Sequence, residues 1–436
     1  MRKLSFLFFV TICVSCSQNK PYQTINLQNE LNTEKFKQAF DSANVAIENS
    51  NFTAYLEECT KIYNFSPYDP GLNLIYADAL WKNGYKEKSK ELLNKLVLFE
   101  SPQINSWLMN KEYSHFQELE IYNDLLSKSE LKTKPVNTSE IAFVIPEKDI
   151  IPEGVAYDKQ SKRLFISSIY KRKILEIDSL GNISDFIKSG ESGISSVIGM
   201  EVDPKRRELW ACSACKQHTE DSNEMDAYSG IYKFDLETGK LINKYLLKDT
   251  SEKLINDITI HPNGTAFITE SNEGKVYMIQ PKKDSLELFI DSDYYCFANG
   301  ITLSDDGKYL FVGYYSGIDR INLLTSEIIN IKHPTNKTLG RIDGLAYYNG
   351  SFIANQPTIL NGVYQYFLNE DLDSVISFKV IEKSNPLFEF PTTGEIAGDT
   401  FYYIANTQLR RFDENGDIFP TEKLDSVYIL KANIDF

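Results

Sequence analysis

Histidine is scarce in this chain of 436 residues: there are four, at positions 115, 218, 261 and 333. That is too little for a transition-metal enzyme, whose centre wants N and S donors. Cysteine is nearly as rare, with six. Cys13 and Cys16 fall in the N-terminal leader, which leaves Cys59, Cys212, Cys215 and Cys296. Cys212 and Cys215 form a single C-x-x-C without a second ligand pair, so a zinc site is disfavoured. A local disulfide or plain thiols remain open. Basic residues are outnumbered, 46 Lys and Arg against 61 Asp and Glu, a net charge of −15. Nucleic acid is therefore not an expected partner, because phosphate binding needs a basic surface. After the first twenty residues no apolar run approaches the roughly 20 residues needed to cross a bilayer as a helix.

The leader itself has a charged start, Arg2-Lys3, and an apolar run from Leu4 to Val14. The run is too short to span a membrane and suits a signal-peptide core. It ends Cys13-Val14-Ser15-Cys16-Ser17, which resembles a bacterial lipobox with Cys16 as the acceptor, although Cys13 stands where Leu is usual. Two or more acyl chains on Cys16 would hold the protein on a membrane. The expectation is thus a signal over 1–16 and an envelope lipoprotein, periplasmic or surface-exposed. The alternative is an ordinary cleaved secretion signal. Residues 17–32 are polar and read as a tether.

What is abundant is aromatic: 26 Tyr and 26 Phe, which favour strands. First, however, comes a helical stretch, 33–130. Phe36, Ala39, Phe40, Ala43 and Ile47 recur at spacings of three and four. Asn51-Phe52 and Gly84-Tyr85 lie 33 residues apart. This resembles two tetratricopeptide-type hairpins, whose repeat is about 34 residues. Such a segment either packs on the next domain or offers a groove to a protein partner. With about two units it is short of the three or so that bury a continuous solenoid core. Residues 131–140, with Pro135, read as a linker.

From 141 to 436 one phrase recurs: a polar residue, a Gly, then a short apolar run. The clearest copy is Ala298-Asn299-Gly300-Ile301-Thr302-Leu303, followed by Ser304-Asp305-Asp306-Gly307. The second position of each copy falls at Gly154, Gly199, Asp257, Gly300, Gly344 and Gly394, at intervals of 45, 58, 43, 44 and 50. Units of 40–50 residues with about four strands each are what propeller blades show. Six units predict an all-β six-bladed propeller. Residues 141–145 and 426–432 are the candidates to complete the last blade. In such a ring the inner strands start around one tunnel, so equivalent residues converge. Glu153, Asn256, Asn299 and Asp343 hold that place in copies one, three, four and five. Two carboxylates and two amide oxygens suit Ca²⁺ or another hard divalent cation. Asn-Gly and Asp-Gly are also common turn formers, yet here the pair precedes a strand instead of joining two. Tyr170, Tyr314, Tyr315, Gln356 and Asn406, at strand ends, either line the pocket or pack the blades.

These signatures, Pro152-Glu153-Gly154, Asn256-Asp257, Ala298-Asn299-Gly300 and Ile342-Asp343-Gly344, resemble the gluconolactonase/regucalcin family, with paraoxonases and strictosidine-synthase-like proteins as more distant relatives. The resemblance covers about 141–436. It implies that Glu153, Asn299 and Asp343 bind the cation and that Asn256 lines the site or joins the shell. It further implies a calcium-dependent hydrolase of small lactones or related esters, with Asp343 as general base or nucleophile and Asn256 beside it. One departure stands out: the Arg that gluconolactonases place two residues before the earlier Asn is Leu254 here. The competing expectation is a non-catalytic, calcium-stabilised binding module that acts with the helical segment as an envelope scaffold.

Overall fold

In a computed structural model the described residues are 22–26, 33–214, 219–220, 228–247, 253–292 and 295–434. The leader, Cys16, Cys215 and His218 lie outside them. Among the described residues no helix is long and apolar enough to cross a membrane.

Six sheets, each built on four antiparallel strands and two of them carrying a fifth edge strand, make the body of the protein. Their inner strands are Val155–Asp158, Ser196–Asp203, Ile255–Ile260, Ile301–Leu303, Leu345–Tyr348 and Gly394–Ala397. Each neighbours the next, and the last returns to the first. The fold is a six-bladed β-propeller. Blade six is closed by both candidate segments: its third strand is Val427–Asn433 and its outermost is Glu140–Ile145. A strand from before the ring thus seals a blade from after it, which removes an open edge.

Each of the six blade interfaces holds its own apolar cluster. Phe165 and Ile174 meet Met200 and Tyr232 between blades one and two. Trp210 and Ile231 meet Ile268 and Tyr277 between two and three. Phe267 meets Leu310, Phe311 meets Phe352, Ile353 meets Phe401, and Ile429 meets Ile166. Middle strands such as Arg163–Ser168 are covered on both faces, so they read as apolar runs rather than as strict alternation. Full burial of one such side chain contributes about 1.5–3 kcal/mol.

The Gly of the recurring phrase has a geometric cause. Gly154, Gly199, Gly300, Gly344 and Gly394 are absent from the left-handed residues, so they are not turn glycines. The first four sit where inner strands of adjacent blades approach most closely, whereas Gly394 lies against Phe401–Tyr403 of its own blade. A Cβ on Gly300 would fall 2.6 Å from Leu345 Cβ of blade five. The phrase therefore marks the rim of the tunnel.

The helical segment comprises α1 (Thr33–Glu48), α2 (Phe52–Phe65), α3 (Pro70–Lys82), α4 (Lys86–Leu96), α5 (Ile104–Leu108) and α6 (Tyr122–Lys132). Asn51 caps α2 through the Ala54 N–H. Gly84, with φ +80°, turns the chain between α3 and α4. The 33-residue offset in the sequence thus marks the same turn in two successive hairpins. The segment packs on the ring: Phe36 and Phe65 of the helices enclose Cys296 and Tyr315 of the propeller. Tyr68 stacks on His333. Lys337, wholly buried, lies 2.7 Å from Glu100, and burial pulls its amine down to about 8 despite that partner. The stretch read as a linker also takes part, because Val136–Asn137 adds an edge strand to blade five. At the other side of the chain's entry, Ile25–Asn26 runs parallel to the outer strand of blade three.

Candidate functional site

The rim loops are held by side chains of second strands, Ser167 and Thr269, and by Thr392 just before the inner strand of blade six. Ser167 Oγ accepts the N–H groups of Glu153 and Gly154, and Thr392 Oγ1 of blade six donates to the Glu153 carbonyl at 3.0 Å. Thr269 of blade three donates to the carbonyl of Asn299 at 2.8 Å. The Asn299 N–H bonds the Gly313 carbonyl, and the Asp343 N–H bonds that of Asn355. Each candidate ligand is thereby held on a rigid strand start.

Glu153, Asn256, Asn299 and Asp343 line a single cavity of about 300 Å³ at this end of the tunnel. Glu153, Asn256 and Asp343 are only 7%, 6% and 8% exposed. Asn256 Nδ2 donates to Ser271 Oγ at 2.9 Å, which leaves its carbonyl oxygen as the atom not so committed. Asn299 Nδ2 donates to Asp343 Oδ1 at 2.5 Å. The other side-chain atom of Asn299, its Oδ1, is buried and meets no donor among the described residues. A buried acceptor left unpaired is costly, and a cation bound between these groups would satisfy it. The donor set is all oxygen, with two carboxylates, as a hard cation prefers. Among the described residues no three His, Cys, Asp or Glu stand together as a metal-holding group; this cavity offers two carboxylates and two amides.

Of the five strand-end residues read as pocket or packing, only Tyr315 lines the cavity. Tyr314 is buried between blades. Gln356 is fully buried and bonds the carbonyls of Thr338 and Gly340. Asn406 bonds Ser426 and Tyr428 within blade six, and the Tyr170 ring lies against Phe412. Leu254, where an Arg was expected from the resemblance, does line the cavity. A cation stands elsewhere on its wall: Arg341, two residues before Asp343. Sequence reasoning passed over it because it belongs to no repeat. Phe297, Thr358 and Phe390 complete the wall. Cys59, Cys212 and Cys296 are buried free thiols.

The opposite end of the tunnel opens into a second cavity of about 340 Å³, whose wall includes Glu201, Asp257 and Glu395. Asp257 bridges two blades by accepting the Ile258 and Ile301 N–H groups. Burial pushes its carboxyl up to about 7. Burial, then repulsion from Asp257, pushes Glu395 up to about 7. Burial and the neighbouring Glu395, Asp257 and Asp203 push Glu201 well above the carboxylate range. Groups with raised folded-state values hold protons that the unfolded chain has already lost, so each costs stability as pH rises from its ordinary carboxylate value through its folded one, about 7 for Asp257 and Glu395. Glu395→Gln removes one such charge. At pH 8 with chelator present, calorimetry should show its melting temperature about 2–4 °C above wild type, and no gain at pH 5.

Residues 151–341 match the family model described as SMP-30/Gluconolactonase/LRE-like region. That stretch contains Glu153, Asn256 and Asn299 and stops short of Asp343. A comparison with curated proteins finds no match. Among solved structures the chain is similar to a gluconolactonase from Xanthomonas campestris, at 14% identity and TM-score 0.47, over 68% of this chain and 95% of that one. It is similar to the PQQ-bound aldose sugar dehydrogenase of Streptomyces coelicolor at 13% identity and TM-score 0.46, over 69% and 98%. It is similar to virginiamycin B lyase of Staphylococcus aureus at 17% identity and TM-score 0.42, over 60% and 80%. These are likenesses of fold between proteins of different named activities.

Proposed function

We propose that the protein is a divalent-cation-dependent hydrolase, with Ca²⁺ as the expected ion, acting on lactones or related small esters. The observation that carries this reading is the convergence of Glu153, Asn256, Asn299 and Asp343 on one cavity, with the buried Asn299 Oδ1 lacking a donor among the described residues. The match to the gluconolactonase-type family model over 151–341 supports it. A bound Ca²⁺ would supply a Lewis acid for the ester carbonyl and for the charge that develops on it. Glu153, Asn299 and Asp343 would hold the ion, with Asn256 beside them. Asp343 is the general base: its carboxylate takes a proton from the attacking water and returns it to the ring oxygen as the acyl–oxygen bond breaks, so that one water is added overall. Asn299 Nδ2 fixes the plane of that carboxylate through Oδ1. Phe297, Tyr315 and Phe390 give the cavity a partly apolar wall that limits water around the reacting ester.

A panel of γ- and δ-lactones and aryl esters, assayed with Ca²⁺ and with chelator, tests the reading. Turnover should appear on at least one lactone and vanish when the ion is chelated. Calcium-dependent thermal stabilisation without turnover on any substrate would favour the binding-module alternative. The same reading keeps the expectation of an envelope protein anchored through Cys16, which intact-mass analysis of wild type and Cys16→Ser checks.

A further inference from the structure

Arg341 is the one cation among the described residues that line the cavity of Asn299 and Asp343. Its guanidinium is braced from one side. Nε lies 2.6 Å from Asp69 Oδ2, an ion pair rather than an aligned hydrogen bond. Nη2 donates to the Tyr315 hydroxyl, and the guanidinium sits 4.3 Å over the Tyr315 ring. Asp69 comes from the helical segment and is 2% exposed. Its other oxygen, Oδ1, accepts the Leu72 N–H at 3.0 Å and so caps α3, which leaves a single oxygen facing the arginine. Tyr315 is wedged in turn against Phe36 and Phe65 of the helices. Nη1 has neither a hydrogen bond among the described residues nor a place among the fully buried atoms, and 28% of the Arg341 side chain is exposed. The part of the guanidinium that is not braced is thus the accessible part.

The same wall holds strained backbone. Phe297, Arg341 and Phe390 are all left-handed, with φ +54°, +52° and +62°, and all three line the cavity. Residues other than glycine keep such angles only where their surroundings over-determine them, and they cluster at ligand-binding positions. For Arg341 the angle is held by its own N–H, which bonds the carbonyls of Tyr314 and Tyr315.

We infer that Arg341 is a specificity-determining residue that receives a carboxylate carried by the substrate, so that the preferred lactone or ester is an anionic one. The inference rests on the hydrolase reading above and deepens it. On that reading Glu153 and Asp343 serve the ion and the reacting ester, and Arg341 meets the rest of the substrate. A planar guanidinium matches a carboxylate in shape and charge. Phe297, Tyr315 and Phe390 keep the surroundings partly apolar, where such a pair is stronger than in water. Asp69 and Tyr315 are positioning residues: they fix the guanidinium before substrate arrives, which lowers the entropy lost on binding.

Two substrates of one shape test this: a γ-butyrolactone carrying a ring carboxylate, and the same lactone carrying a carboxamide. Wild type should favour the carboxylate in kcat/KM. Arg341→Gln should lower that preference about 10–100-fold, the usual effect of losing a hydrogen bond to a charged group, and mainly through KM. Arg341→Lys should recover part of it. Asp69→Asn keeps the helix cap, because asparagine caps as well as aspartate does. It should lower the preference when Arg341 is present and not in the Arg341→Gln background. A wild type without preference for the carboxylate, or an Arg341→Gln that loses equally on both substrates, would overturn the inference while leaving the hydrolase standing. Turnover of no lactone at all would instead count against the hydrolase reading, and titration with glutarate then decides on Arg341. Binding about tenfold or more weaker in Arg341→Gln than in wild type supports a carboxylate site; equal binding, or none in wild type, overturns it.

Discussion

Asp343→Asn should lower kcat on the best lactone by about 10²–10⁴-fold, the usual contribution of a positioned general base. The substitution is nearly isosteric, so the ring stays closed and Asn299 keeps a carbonyl oxygen to donate to. What is lost is a negative charge at the cavity and a proton acceptor for water. The two losses have different signatures. Loss of the acceptor lowers kcat at saturating Ca²⁺. Loss of the charge raises the Ca²⁺ concentration needed for half-maximal activity. Hydrolysis retained in full would remove Asp343 from the mechanism. A variant restored to wild-type rate by excess Ca²⁺ would leave it as a ligand only.

Gly154→Ala should be the most damaging single methyl group in the propeller. Its Cβ would lie 2.0 Å from the carbonyl oxygen of Ile198 and 3.2 Å from Ser167 Oγ. The first contact is with backbone, which cannot rotate aside, so blades one and two must separate where their inner strands meet. Overpacking of this kind costs about 1–3 kcal/mol or more, equivalent to a melting temperature lower by roughly 6–10 °C at the upper end. Glu153 is the preceding residue and moves with the strand, so Ca²⁺ affinity should fall in parallel. Gly350→Ala is the control. It meets nothing within 4 Å, and only its left-handed φ of +75° is strained, so it should cost about 1 kcal/mol and leave Ca²⁺ binding intact. Equal stability of the Gly154→Ala and wild-type proteins would contradict the close-approach account.

That account also explains why so much of the ring was legible in the sequence. Gly154, Gly300 and Gly344 recur because neighbouring inner strands leave no room for a Cβ, and the residue before each of them is carried to the tunnel rim. The periodic spacing therefore revealed both the fold and the convergence of Glu153, Asn299 and Asp343. Asn256 was legible by the same register even though Asp257 replaces the Gly; its carboxylate bonds the next blade's Ile301 N–H instead. Arg341, Thr358 and Phe390 were not legible. They lie outside the repeated phrase, and nothing local to them signals a cavity. Asp69 was further from view, because an ion pair across 272 positions leaves no periodic trace. Residues 131–140 show a related gap: a Pro-containing polar stretch reads as a linker, and only the edge of blade five gives Val136–Asn137 something to pair with.

The convergence of four oxygen donors on one ion is the claim from which the chemistry follows. Crystals of the protein grown with Mn²⁺ in place of Ca²⁺, with data collected near the manganese absorption edge, test it most directly. An anomalous peak should lie within about 2.0–2.6 Å of side-chain oxygens of Glu153, Asn299 and Asp343, with Asn256 adjacent. A cavity without such a peak, or a peak held by other residues, would contradict the account.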